Sequence, residues 1–243
     1  MRKSEFLIGL ALSAALSMSA LGCSEDGANG SDLPPPDRPP LDTKPIYPSG
    51  PYSVHPGDVI ADFSFQGFSS PVKSSAALVP IVLSDFYNPH AADASYKPED
   101  PALDDRLFPK NSPYGEGKPK PKALAVDIGA IWCGPCNYEA KTELPPRYLK
   151  YHPLGGEFLF QLADGATQGK AATEKDLVNW TKKYKVDYPS TIDVDKQLAQ
   201  LFDANSYPAN MIIDLRTMRI VAVVAGVPDE SFWTTFEATI AGK

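Results

Sequence analysis

The pattern of apolar residues predicts a sheet built around two buried strands. Residues 123–128 are apolar at five of six positions, which is typical of a strand buried on both faces. Residues 157–163 repeat this pattern after an intervening polar stretch. Shorter strand patterns lie at 59–65, 78–83, 211–215 and 220–225. The last two of these are close enough in sequence to form a hairpin.

Helical patterns fill the gaps between these strands. Residues 136–148 predict a first helix, disturbed by two consecutive prolines at 145 and 146. Thr173 and Asp176 have the spacing of a capping box and precede apolar residues at helical intervals. Residues 195–203 predict a short helix, and Asp229 is placed to cap a last one. The alternation of strands and helices predicts an α/β fold with a central mixed sheet flanked by helices.

The strand at 123–128 leads into the sequence Trp132-Cys133-Gly134-Pro135-Cys136. A Cys-x-x-Cys pair at a helix N-terminus presents its first thiol to solvent and places the second one turn behind it. Free backbone N–H groups and the helix dipole there stabilise a thiolate, and a pKa lowered from ~8.5 to ~7 makes about half of the thiol nucleophilic at neutral pH. The pattern therefore predicts a redox-active pair.

A zinc site is the alternative interpretation of any Cys-x-x-Cys pair. A structural zinc site needs a second pair of ligands. The chain has one other cysteine, Cys23, and three histidines, His55, His90 and His152, which are scattered without ligand spacing. The sequence therefore favours redox chemistry over metal binding, and we expect no metal or other cofactor besides the Cys133–Cys136 disulfide.

The Trp-Cys-Gly-Pro-Cys sequence resembles the active-site motif of thioredoxins, and its surroundings resemble the membrane-anchored TlpA/ResA-like branch of that superfamily. Asp127 lies where thioredoxins carry a buried acid, and Glu139 matches the glutamate that follows the motif in the TlpA/ResA-like branch. The resemblance implies a thioredoxin fold with an N-terminal strand extension. It also implies that Cys133 attacks a disulfide, Cys136 resolves the intermediate, Asp127 relays a proton to or from Cys136, and Glu139 tunes the pair.

The sequence around Tyr207 and Pro208 resembles the cis-proline loop of thioredoxins, followed by a core strand. In that family, the residue before the proline offers backbone hydrogen bonds to an extended substrate. Tyr207 is bulkier than the residues usual there, so a changed choice of substrate is expected. The residues implied to contact substrate are Trp132, Gly134, Pro135, Tyr207 and Pro208.

The N-terminus has the features of a bacterial lipoprotein signal. A basic start precedes an uncharged apolar run at 6–21, which is shorter than the ~20 residues of a membrane span. The run ends in Ala20-Leu21-Gly22-Cys23, which resembles a lipobox, so residues 1–22 are expected to be removed and Cys23 lipidated. Ser24 then favours the outer membrane. An ordinary signal peptide with an unmodified Cys23 is the alternative.

Proline-rich composition divides the rest of the chain. Residues 23–56 hold nine prolines and few large apolar groups, which predicts an extended tether, and residues 57–243 form one domain. Within that domain, residues 88–122 predict a long inserted loop with seven prolines and clustered charges. Its acidic residues offer a calcium site as the alternative to a solvated loop. The formal net charge of −7 argues against nucleic-acid partners.

These observations favour a lipid-anchored, extracytoplasmic thiol:disulfide oxidoreductase that reduces protein disulfides. The resemblance implies client proteins with cysteines or disulfides, and a membrane electron donor. A thiol peroxidase of the peroxiredoxin kind is one alternative, although the attacking-cysteine motif of that family does not precede Cys133. A surface module that binds a partner without catalysis is the other.

Overall fold

The computed structural model describes residues 45–70, 77–202 and 206–243. The predicted signal at 1–22, Cys23 with its lipid anchor, and most of the tether therefore lie outside the described residues. Within the described ranges, no helix combines the length and the apolarity needed to cross a bilayer.

A single seven-stranded sheet organises the domain, in the order β2-β1-β5-β4-β3-β6-β7. The strands are β1 Ser64–Phe68, β2 Val79–Val82, β3 Ala123–Ala130, β4 Gly156–Asp164, β5 Ser190–Ile192, β6 Ala209–Asp214 and β7 Arg219–Ala225. The three strands β3, β4 and β5 run parallel, and β6 is antiparallel to β3. The sheet is therefore mixed, as the sequence predicts, with the strand before the cysteines inside it.

The central strand β3 is buried at all of its positions, because β4 and β6 pair with its two edges and other elements cover its faces. Its alternate residues point to opposite faces of the sheet. Asp127 and Gly129 therefore share a face, and a methyl group built on Gly129 would lie 3.4 Å from Cβ of Cys136. Asp127 accordingly lies on the face that carries the redox pair.

Within the described residues, four α-helices and one π-helical turn lie between the strands or after the last one. They are α1 Gly134–Tyr138, the π turn Glu139–Glu143, α2 Leu144–Tyr151, α3 Glu174–Tyr184 and α4 Glu230–Ile240. The two prolines do not end the helical segment: α1, the π turn and α2 follow one another without a break, and Pro145 lies at the start of α2, directly after the π turn. The capping box of Thr173 and Asp176 and the cap at Asp229 are both confirmed.

The helices α2, α3 and α4 pack on one face of the sheet. Phe158 contacts Tyr148 of α2 and Phe236 of α4, whereas Phe160 stacks on Trp180 of α3 with ring centroids 5.1 Å apart. Phe158 and Phe160 are two positions apart on β4 and so share a face. The chain moves in one direction across the sheet as it passes from β3 to β4 and from β4 to β5. Two right-handed crossovers in the same direction place their helices on the same face of the sheet, as observed for α2 and α3.

Two elements differ from the sequence prediction. The strand β5 was not predicted, because three residues after Pro189 are too short a run to show a period. The helix predicted at 195–203 reduces to a 3-10 turn at Ala199–Leu201 within the described residues. The buried carboxylate of Asp193 accepts the N–H groups of three successive residues, Gln197, Leu198 and Ala199, and so holds this segment in a turn.

The inserted segment at 88–122 is packed against the domain rather than solvated throughout, which corrects the prediction. Phe108 is buried and lies with Tyr114 against Phe86, at ring-centroid distances of 4.7 to 6.3 Å. The side chain of Asn88 donates to the carbonyl oxygens of Lys120 and Pro121. The aromatic residues give this proline-rich segment enough apolar surface to bury. Its acidic groups include Asp104 and Asp105, which pair with Arg106 and His90.

The end of the predicted tether, residues 45–56, also contacts the domain. The hydroxyl of Tyr47 donates to the carbonyl of Ile60 at 2.8 Å, and its ring lies against that of Tyr87. The N–H of Val59 donates to the carbonyl of Pro51 at 3.1 Å. The compact unit accordingly includes residues 45–56, ahead of the boundary expected at residue 57. The predicted strand at 59–65 begins later, at Ser64.

Candidate redox site

Cys133 and Cys136 form a disulfide at the start of α1, with their Cα atoms 5.3 Å apart. Cys133 is the N-cap residue of that helix, and its sulfur accepts the backbone N–H of Cys136 at 3.1 Å. A reduced Cys133 therefore has its sulfur beside a first-turn N–H group and at the positive end of the helix dipole, where a thiolate is stabilised.

Both cysteines are buried in the disulfide form, with 3% and 2% of their surface exposed. The expectation that Cys133 is solvent-exposed is therefore wrong for this state. Its sulfur turns inward toward Cys136, whereas Gly134 and Pro135 between them are exposed. The Gly134-Pro135 turn therefore forms the exposed surface beside the disulfide.

Asp127 is a buried carboxyl on β3. Its Oδ1 atom has no hydrogen-bond partner among the described residues, and only 7% of the residue is exposed. Burial disfavours the charged form and raises the pKa of Asp127 to about 7. Asp127 also lies on the same face of the sheet as the redox pair, and with this pKa it can exchange a proton near neutral pH.

Glu139, the first residue of the π turn, is fully buried. Neither of its carboxylate oxygens has a hydrogen-bond partner in the part of the chain that the structure describes. Burial, and then the charge of Asp127, raise the pKa of Glu139 well above its usual range. The nearby side-chain amide of Asn210, which also donates to the carbonyl of Gly226, opposes this rise but is outweighed by burial. Asp127 and Glu139 therefore titrate as a coupled pair that retains a proton at neutral pH.

The indole of Trp132 is held by Asp164, the last residue of β4. The indole Nε1 donates to Oδ2 of Asp164 at 3.2 Å, the N–H of Gly169 donates to the same oxygen at 2.7 Å, and Lys196 lies 2.9 Å from Oδ1. Burial acts to raise the pKa of Asp164, but these three partners outweigh it and lower that pKa. Sequence reasoning missed Asp164; a polar residue at the end of a buried strand was the available signal.

The peptide between Tyr207 and Pro208 is cis, as the resemblance implies. The Tyr207 ring lies 6.0 Å from the ring of Trp132, centroid to centroid, and the residue is 8% exposed. The bulky side chain therefore packs into the wall of the site rather than projecting into solvent. The structure thus brings the cis-proline loop and the Trp-Cys-Gly-Pro-Cys turn together.

The predicted residues near the cysteines meet at one end of the sheet, whereas Cys23 lies outside the described ranges. Across the residues that the structure covers, there is no group of three or more His, Cys, Asp or Glu side chains arranged to hold a metal ion. The site provides two thiols that can form one disulfide, with the Cys133 sulfur at the helix N-terminus. It also provides two buried carboxyls of raised pKa, Asp127 and Glu139.

The sheet order, the Cys-x-x-Cys pair that caps the helix after the central strand, and the cis-proline beside it together define a thioredoxin fold with a thiol-disulfide site. The chain is similar to ResA, a thiol-disulfide oxidoreductase. It is 27% identical over 112 residues to the thiol-disulfide oxidoreductase ResA of Bacillus subtilis (strain 168), a match covering 46% of this chain and 58% of that relative. The match thus spans only a little more than half of the relative's length.

Solved structures share the fold. A thiol:disulfide interchange protein DsbE from Chlorobium tepidum superposes with a TM-score of 0.51 at 17% identity, covering 77% of this chain and 99% of that one. A secreted thiol-disulfide isomerase from Corynebacterium glutamicum gives a TM-score of 0.51 at 16% identity, with 79% and 99% covered. No protein-family model matches the chain.

Proposed function

We propose that this chain is a thiol:disulfide oxidoreductase that acts on protein cysteines, in the direction of disulfide reduction. The observation that carries the proposal is the Cys133–Cys136 disulfide at the N-terminus of α1, with the Cys133 sulfur facing the Cys136 N–H. The similarity to ResA supports the same chemistry. The Cys-Gly-Pro-Cys sequence resembles the reducing members of the superfamily and supports the direction.

In the first step, the Cys133 thiolate attacks one sulfur of a client disulfide. A bond forms between Cys133 and that sulfur, the client S–S bond breaks, and the second client sulfur leaves as a thiolate. The first-turn N–H groups lower the energy of the Cys133 thiolate before the attack. The client chain lies over the exposed Gly134-Pro135 turn, beside the Tyr207-Pro208 loop.

In the second step, Cys136 loses its proton and attacks the Cys133 sulfur. The Cys133–Cys136 disulfide forms, and the remaining client sulfur leaves as a thiolate, so two electrons have passed to the client. Asp127 accepts the Cys136 proton, since its raised pKa lets it take up and release a proton near neutral pH. Glu139 tunes this transfer, because its charge state is coupled to that of Asp127.

The protein then needs a dithiol donor that reduces Cys133–Cys136 again. We place this cycle outside the cytoplasm, with the domain attached to the outer membrane through lipidated Cys23 and a membrane protein as the source of electrons. The lipobox-like Ala20-Leu21-Gly22-Cys23 sequence and the proline-rich tether support this location.

Trapping of the mixed disulfide tests the proposal. The Cys136→Ala variant, expressed in the envelope and alkylated before lysis, should form reductant-sensitive adducts, since no second thiol remains to release the client. The matched Cys133→Ala variant should form none. If Cys133→Ala formed adducts and Cys136→Ala did not, Cys136 would be the attacking cysteine and Cys133 the resolving one. Absence of adducts with both variants, together with no turnover of a protein disulfide by the purified domain, would favour a binding module.

A further inference from the structure

Asn137, the residue after Cys136, connects the redox turn to helix α3. Its Nδ2 atom donates to the carbonyl of Ile131 at 2.9 Å and to the carbonyl of Cys133 at 2.7 Å. Its Oδ1 atom accepts from the hydroxyl of Tyr184 and from Nζ of Lys183, the latter at 3.1 Å. One amide side chain therefore bonds to both ends of the turn that carries the nucleophile and to the last turn of α3.

These hydrogen bonds restrict the motion of the backbone around Cys133. The N–H of Ile131 donates to the carbonyl of Asp164 at 3.1 Å, so both polar backbone groups of Ile131 are bonded. The N–H of Cys133 donates to the carbonyl of Ala130. Because an ammonium and a hydroxyl both polarise Oδ1 of Asn137, its two N–H donors become stronger in turn. The turn has little freedom left to move its sulfur away from the helix axis.

The geometry assigns to Asn137 the role of a positioning residue, which holds the Ile131–Cys133 turn so that the Cys136 N–H stays directed at the Cys133 sulfur. The Cys136 N–H reaches that sulfur at 3.1 Å only while the Cys133 backbone keeps its extended N-cap conformation. Asn137 does not touch the sulfur; it acts through the Cys133 carbonyl. This assignment rests on the proposed function, in which the Cys133 thiolate is the nucleophile.

The charged and titratable groups around this turn come from several elements. They are Asp127 from β3, Glu139 from the π turn, Asp164 from β4, Lys183 and Tyr184 from α3, and Tyr207 from the cis-proline loop. The Asn137→Ala variant retains all of them and removes no charge. A change in the titration of Cys133 therefore reports the position of its sulfur rather than a lost ion pair.

The test is the pH dependence of alkylation of the reduced protein by iodoacetamide, with the modified cysteine identified by mass spectrometry. In the Asn137→Ala variant, the pH at which alkylation of Cys133 is half-maximal should rise by about half a pH unit to one pH unit. This is the size expected when a hydrogen bond to a charged group is weakened. The Tyr184→Phe variant removes one of the two donors to Oδ1 of Asn137. Its alkylation midpoint for Cys133 should therefore also rise, but by a smaller amount.

The matched control is Tyr138→Phe, one residue further along α1. It removes a hydrogen bond from an exposed hydroxyl to Glu143 and leaves the turn intact, so its midpoint should equal that of the wild type. A lower thermal midpoint for Asn137→Ala with an unchanged alkylation profile would overturn the positioning role. A shifted profile in a protein that reduces no client disulfide would uphold the role of Asn137 while the proposed function fails.

Discussion

The carboxyl groups of Asp127 and Glu139 are buried together, and the charge of Asp127 helps to raise the pKa of Glu139. Because both pKa values are raised by folding, each carboxyl is protonated in the folded protein at pH values at which it is ionised in the unfolded chain. The folded state therefore binds more protons, and the free energy of unfolding must fall as the pH rises above about 4, the pKa of an unperturbed carboxyl.

Replacing Glu139 by Gln should flatten this pH dependence. These two groups should lower the stability of the wild type from about pH 4 upward, through about pH 7 for Asp127 and about pH 10 for Glu139, with a slope of at most ~1.4 kcal/mol per pH unit for each group. Glu139→Gln should roughly halve the slope below pH 7 and remove the contribution of this pair above pH 7, where Asp127 is already ionised. Urea unfolding of the oxidised protein at several pH values measures the slope of the unfolding free energy against pH. Glu143→Gln, at the partly exposed end of the same turn, should keep the wild-type slope; an equal flattening there would contradict the assignment to Glu139.

Replacing Asp127 by Asn should slow resolution of the mixed disulfide by about 10²-fold, because Cys136 loses its proton acceptor. The first attack by Cys133 should change much less, since its thiolate is stabilised by α1. Rapid-quench kinetics with a disulfide peptide separate the two steps. Asn has the shape of Asp and the site lies in the core, so far-ultraviolet circular dichroism should be unchanged. Equal resolution rates in the two proteins would remove Asp127 from the mechanism.

Replacing Asp164 by Asn should destabilise the oxidised protein by about 1.5–3 kcal/mol at neutral pH, the range for hydrogen bonds to a charged group. Asp164 is 1% exposed and pairs with Lys196 and the indole of Trp132. Since its pKa is lowered in the folded state, this contribution is present above pH 4 and is lost as the pH falls through the folded pKa.

Chemical denaturation at pH 7 and pH 3, followed by tryptophan fluorescence, checks this prediction. Lys196→Met is the control, because it leaves Asp164 with its two N–H donors and should cost less at pH 7. An Asp164→Asn variant as stable as the wild type at pH 7 would show that the network does not contribute to folding.

Replacing Cys23 by Ser should release the protein from membranes, because the lipid is expected on that sulfur. The expectation rests on the lipobox-like sequence ending at Cys23. Detergent-free fractionation of cells that express the wild type or the variant measures the distribution. The Cys133→Ser variant, with the same loss of one sulfur, should remain with the membranes. A Cys23→Ser protein that sediments with membranes would refute the lipid anchor.

Local sequence was sufficient to determine the centre of this protein. The apolar run of β3, the Cys133–Cys136 spacing and the caps at Thr173 and Asp229 each depend on residues within about one helical turn or one strand of one another. Periodicity and capping patterns report such short-range physics directly. The strand before the cysteines, the helix after them and the buried position of Asp127 could therefore be predicted.

Only the tertiary structure decided which distant groups complete the site. Asn137 meets Lys183 and Tyr184 across more than forty positions of sequence, and Trp132 meets Asp164 across 32. No periodicity relates these residues, because they meet through the crossovers that place β4 and α3 beside the redox turn. The inward direction of the Cys133 sulfur and the packing of the segment at 88–122 likewise depend on which surfaces other elements cover. Burial of that kind is a property of the assembled sheet and helices, and the local sequence does not contain it.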